Sequence, residues 1–156
     1  MIGRLLLAEA CSLLNEHEAR YVLVGGFAVQ LWGSARATKD VDILIEKTVP
    51  NARRVLDACE HLTGGLARDL SAEEVARKPV TIIGDIPRVD ILTVAYTVHY
   101  PEAARDATVF EVDGVKIPTA SIPHLIESKR TGRLRDAVDV EELLAIQREL
   151  AGRGQG

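Results

Sequence analysis

From Ile2 to Leu14 the apolar residues Ile2, Leu6, Ala10, Leu13 and Leu14 recur at helical spacing, which predicts an amphipathic helix. Tyr21-Val22-Leu23-Val24 is a short apolar run and predicts a buried strand. It stops at Gly25-Gly26, and Phe27 to Trp32 predicts a short helix closed by Gly33. The order is strand, glycine turn, helix. Asp40 to Glu46 alternates, with Val41, Ile43 and Ile45 on one face and Asp40, Asp42, Leu44 and Glu46 on the other, as in a strand. Pro50 opens a predicted helix whose inward stripe is Ala52, Val55, Leu56, Cys59 and Leu62.

Val80 to Ile83 and Arg88 to Val94 predict two further strands around a Gly84-Asp85 turn. Thr108 to Val112 and Val115 to Ile117 flank Asp113-Gly114, a dipeptide suited to a two-residue hairpin turn. A helix capped near Ser121 runs to about Arg130, and a last helix runs from near Asp136 to Leu150 with Val140, Leu143 and Leu144 inward. Together these elements predict an α/β (α+β) fold in which a mixed β-sheet is flanked by helices and followed by a C-terminal helical pair. No repeat or linker divides the pattern, so residues 1–151 form one expected domain and residues 152–156, rich in glycine, a loose tail.

Length and composition narrow the function classes. A chain of 156 residues, 47% apolar and 27% charged, fits one ordinary domain. Its longest apolar runs fall far short of the ~18 residues of a membrane-spanning helix. Arg4 and Glu9 leave no secretory pattern at the amino terminus, and the expected location is the cytoplasm, without a membrane partner. Cys11 and Cys59 lack metal-ligand spacing and read as reduced core thiols. His17, His61, His99 and His124 share no spacing that suggests a metal or a catalytic dyad. A formal charge of -4 gives no overall footprint for non-specific nucleic-acid binding. Trp32, Tyr96 and Tyr100 are too scattered to read as a base-stacking platform.

The candidate chemistry lies in carboxylates. Asp40 and Asp42, two apart on a strand, point to one face with α-carbons ~6.5–7 Å apart and can converge on a shared cation. Asp90 lies inside another predicted strand, where an unpaired charge is costly to bury. If those strands are neighbours, the three acids form a site for a hard divalent cation; the simpler reading of Asp90 is an ion pair with Arg88. Gly25-Gly26 offers a phosphate cradle, or a plain turn. Arg36 reads equally as a phosphate ligand or a solvated loop cation. Lys129, Arg130, Arg133 and Arg135 read as a cluster facing triphosphate or an acceptor such as RNA, or as cations complementing a helix carboxy terminus.

Val24-Gly25-Gly26, then Asp40-Val41-Asp42-Ile43, then Val89-Asp90-Ile91 resembles the signature of the polymerase-beta-type nucleotidyltransferase superfamily. Gly33, Arg36, Thr38, Lys129, Gly132-Arg133 and Asp136 to Asp139 add a resemblance to its small prokaryotic branch that includes the abortive-infection-type nucleotidyltransferase toxins. The resemblance spans roughly residues 20 to 145 and departs at Phe27, where many members of the superfamily place a serine. It implies transfer of a nucleoside monophosphate from a nucleoside triphosphate to an acceptor hydroxyl, with release of pyrophosphate. By the same resemblance Asp40, Asp42 and Asp90 hold Mg2+ (or Mn2+), Asp90 helps deprotonate the acceptor, and Gly25, Gly26, Arg36 and Lys129 bind the nucleotide. The acceptor stays open between a small molecule, a protein and a tRNA, and a homo-oligomer or an antitoxin is an expected partner. The rival reading is a non-catalytic nucleotide-binding or partner-binding protein of a toxin–antitoxin-type system.

Overall fold

In the computed structural model, which describes residues 2–154, helix α1 (Ile2–Glu16) leads into strand β1 (Tyr21–Val24). Helix α2 (Gly25–Leu31) starts directly on β1, so the two glycines form its first turn instead of preceding it. There follow β2 (Val41–Ile45), α3 (Val49–Cys59), a 3-10 turn (Leu66–Asp69), α4 (Ala72–Arg77), β3 (Val80–Ile83) and β4 (Val89–Leu92). The chain ends with α5 (Tyr100–Arg105), β5 (Thr108–Val112), β6 (Val115–Thr119), α6 (Ile122–Ser128) and α7 (Leu134–Arg153).

The six strands form one mixed sheet in the order β3-β4-β2-β1-β6-β5. β1 and β2 are antiparallel, β2 and β4 parallel, β1 and β6 parallel, and each outer strand is antiparallel to its neighbour. A parallel pair needs a long crossover. The stretch containing α3 and α4 supplies one, which sets β4 beside β2.

Leu7, Cys11 and Leu14 of α1, Val55 and Leu56 of α3, and Ile43 and Ile45 of β2 share one buried core. The phase of α1 differs from the expected stripe, since Leu7 is buried while Ile2 is 74% exposed. Leu5-Leu6-Leu7-Ala8 is apolar on every side, so periodicity alone does not choose its inward face. The buried Asn51 side chain accepts the Arg20 N–H at 2.7 Å and donates to the carbonyls of Arg20 and Glu46, tying α3 to the start of β1 and the end of β2. That bracket holds the two strands in the register on which the site depends.

The β5–β6 hairpin turns on Asp113 and Gly114, both in the left-handed region, as the dipeptide predicts. Helix α7 is longer than its expected span. Gly152 and Arg153 belong to it and not to a loose tail, while Gln155 and Gly156 lie outside the described residues. α4 and α5 have six residues each, too short for helical periodicity to mark them, and neither is expected from the sequence. Cys11 and Cys59 are buried free thiols, and burial pushes both up to about 12. No described helix is long and apolar enough to cross a membrane.

Candidate active site

Parallel pairing of β2 with β4 sets Asp42 directly opposite Asp90, and residues so paired project from the same face of neighbouring strands ~4.8 Å apart. Asp42 is also the register partner of Val24, the last residue of β1. β1 therefore delivers the first turn of α2, with its two glycines, to the side of the Asp42 carboxylate. Asp40 precedes β2 and is half-exposed, with its carboxylate 3.8 Å from Arg88 Nε.

The first glycine is explained by this approach. A Cβ on Gly25 would lie 2.0 Å from Asp42 Oδ2, and its φ of +72° is a conformation that side chains other than glycine's seldom adopt. A Cβ on Gly26 would lie 2.9 Å from Thr38 Oγ1. Both glycines are thus required by close neighbours within the chain, beyond any role in binding phosphate. Gly25→Ala is expected to cost about 1–3 kcal/mol in backbone strain alone and to displace the Asp42 carboxylate. A lowered unfolding midpoint would register the strain, and an unchanged midpoint would contradict the close approach of Gly25 to Asp42.

The electrostatics centre on Asp42. Burial pushes its carboxyl up to about 7, the charge of Asp90 and a hydrogen bond to it act in the same direction, Asp40 adds to them, and Lys129 opposes. Asp90 is clamped by Arg88, whose Nε donates to Oδ1 at 2.9 Å and whose Nη2 donates to Oδ2 at 3.3 Å. The ion pair expected as the simpler reading of Asp90 is therefore present, on a residue that also lines the cleft. Among the described residues no three His, Cys, Asp or Glu side chains converge closely enough to hold a metal ion as they stand. Asp42 and Asp90 form a pair, and Asp40 is turned onto Arg88.

Arg36 is not a solvated loop cation. It donates to Asp139 Oδ2, an oxygen that also receives Lys129 Nζ at 2.8 Å. The side chains of Asp139 and Lys129 are only 2% and 10% exposed. Asp136 lies 3.9 Å from Lys129 and accepts from Arg133 Nε at 2.8 Å. Sequence reasoning did not assign Asp139 a partner or a place in the site. The signal was present in the spacing, because Asp136, Asp139 and Leu143 share one helical stripe, and carboxylates on an inward stripe require partners.

Two adjoining hollows open over the carboxylate pair. One, of about 330 Å³, is lined by Arg36, Arg88, Lys129, Arg133 and Arg135 together with Gly26, Thr38 and Asp40. The other, of about 480 Å³, extends over Gly25, Leu92 and the connection between α6 and α7. They share Asp42, Asp90, Lys129, Arg133 and Asp136. The structure thus brings Asp42, Asp90, Asp40, Gly25, Gly26, Arg36 and Lys129 into one locality, and Arg88 joins them.

A strand running through two glycines into a helix, beside carboxylates paired on adjacent strands and faced by cations, has the parts of a nucleotidyltransferase. The chain belongs to the AbiEii family: residues 6–145 match the family model described as nucleotidyl transferase AbiEii toxin, type IV TA system. A comparison with curated proteins found no match.

Proposed function

We propose that the protein is a divalent-metal-dependent nucleotidyltransferase that acts in the cytoplasm, moving a nucleoside monophosphate from a nucleoside triphosphate to an acceptor hydroxyl. The observation that carries the reading is the Asp42–Asp90 pair, set in register on parallel strands and faced by Lys129. A pair of oxygen donors in which burial first, and then the charge of the neighbouring Asp90, pushes the Asp42 carboxyl up to about 7 suits a hard cation such as Mg2+ or Mn2+. Asp42 and Asp90 would hold it, joined by Asp40 once that side chain leaves Arg88. When bound, such an ion supplies charge neutralisation and Lewis acidity at phosphate oxygens.

The chain's own groups do the rest. Arg36, Lys129, Arg133 and Arg135 offer positive charge to the β and γ phosphates. Asp90 accepts the proton of the acceptor hydroxyl as that oxygen bonds to the α phosphorus. The bond from the α phosphorus to the bridging oxygen then breaks, and pyrophosphate leaves in line. Arg88 must release Asp90 for this to happen, so it competes with the cation for the same oxygens.

The acceptor is proposed to be a small molecule, a protein or a tRNA, and the counterpart of the system an antitoxin. Nucleoside triphosphates labelled at the α phosphate, offered with these acceptor classes, are expected to yield labelled acceptor and pyrophosphate with Mg2+ and neither with a chelator. The Arg88 clamp favours one rival, a protein that binds nucleotide without turning it over. Nucleotide binding with no pyrophosphate release across all acceptor classes would select that rival.

A further inference from the structure

The two hollows that meet at Asp42 and Asp90 differ in character. One side carries Arg36, Arg88 and Arg135, Lys129 and Arg133 lie where the two hollows meet, and the far side is floored by Val80, Leu92 and Ala95 and edged by Tyr96. A nucleoside triphosphate with its α phosphorus at the carboxylates has its remaining phosphates on one side and its nucleoside on the other. We propose that the shelf of Val80, Leu92 and Tyr96 receives the nucleobase, with the Tyr96 ring stacked on the face of the base. The inference rests on the nucleotidyltransferase reading and deepens it.

Position and exposure support the shelf. Leu92 lies two residues beyond Asp90 on β4 and is paired with Val80, so all three side chains share the open face of the sheet. Val80 is 45% and Tyr96 56% exposed, and apolar surface of this kind beside a charged site suits a flat, largely apolar ring system.

The backbone at Tyr96 supplies a separate argument. Ala95 and Val98 exchange two backbone hydrogen bonds, of 2.8 and 3.0 Å, around a two-residue turn whose first central residue is Tyr96 at a φ of +59°. Glycine is the residue that such a position favours, and a bulky aromatic there strains the turn. Since more than half of Tyr96 is solvent-exposed, its ring does not offset that strain by packing in the core. A side chain that the turn disfavours and the core does not use is suited to a ligand.

Binding of two kinds of probe with Mg2+ tests the shelf: each of the four nucleoside triphosphates, and inorganic tripolyphosphate, which lacks a base. Wild type is expected to bind its preferred nucleotide more tightly than tripolyphosphate. Tyr96→Gly should weaken the nucleotide about tenfold, leave tripolyphosphate unchanged, and keep the unfolding midpoint at or above that of wild type. Tyr96→Phe should retain nucleotide affinity. An unchanged nucleotide affinity in Tyr96→Gly, an equal loss for both probes, or a lowered midpoint overturns the base shelf while leaving the transferase reading in place. Failure of wild type to bind either probe with Mg2+ overturns that reading and the shelf with it.

Discussion

Asp42→Asn is expected to abolish nucleotidyl transfer and, in protein stripped of metal, to raise the unfolding midpoint. The two effects have one cause. The Asp42 carboxyl is pushed from the ordinary 3.8 to about 7 by burial and by Asp90 and Asp40, with Lys129 only partly compensating and Arg88 engaged on Asp90. Below 3.8 the folded and unfolded chains both carry the proton, and the carboxyl imposes no penalty. Between 3.8 and about 7 the unfolded chain releases its proton while the folded chain keeps it, so stability falls as pH rises. Above about 7 the folded group ionises too, and the loss levels off at on the order of a few kcal/mol.

Asparagine does not ionise, so the metal-free variant should be flatter in pH and more stable than wild type above about pH 7. A bound divalent cation reverses the comparison, because wild type gains stability from it and the variant does not. Transfer should fall by roughly a thousandfold or more, the equivalent of the several kcal/mol that a correctly held metal contributes. Thermal unfolding across pH with chelator and with Mg2+, beside a pyrophosphate assay, checks all of this. A variant less stable than wild type without metal would show that Asp42 supports the fold, and retained transfer would remove it from the site.

What the sequence disclosed and what it hid follow from how far each signal reaches along the chain. β1 and the β5–β6 hairpin were legible because a short apolar run and an Asp-Gly dipeptide are local features with one common meaning. The carboxylates were legible as types and spacing, but their meeting depends on β4 crossing over to lie parallel to β2, which no local pattern encodes. Gly25 was visible as a turn glycine, yet the reason for it, the Asp42 oxygen where its Cβ would be, lies seventeen positions further along the chain. Arg36 and Lys129 read as nucleotide-binding residues without their shared partner, since Asp139 is 103 residues from Arg36. The inward phase of α1 stayed hidden because a run apolar all round has no preferred side.

That shared partner carries the largest expected effect on stability. Asp139 sits on α7 and joins it to Arg36, in the segment after α2, and to Lys129, at the end of α6. Replacing it with alanine leaves two cations in a poorly solvated place, with Asp136 at 3.9 Å and the Asp42 carboxyl as the remaining countercharges for Lys129. Loss of one member of such a buried network costs about 3–5 kcal/mol, or roughly 10 °C in the unfolding midpoint of a domain this size. Asp139→Asn should cost less, because its carbonyl still accepts one hydrogen bond. Both cations also line the cationic side of the cleft, so a polyanion can replace part of what the carboxylate supplied. Tripolyphosphate with Mg2+ is therefore expected to raise the midpoint of Asp139→Ala by more than it raises that of wild type. Thermal unfolding with and without the polyanion measures both quantities. A small loss of stability would mean that solvent already screens the network, and equal stabilisation of the two proteins would mean that Arg36 and Lys129 do not face the phosphates.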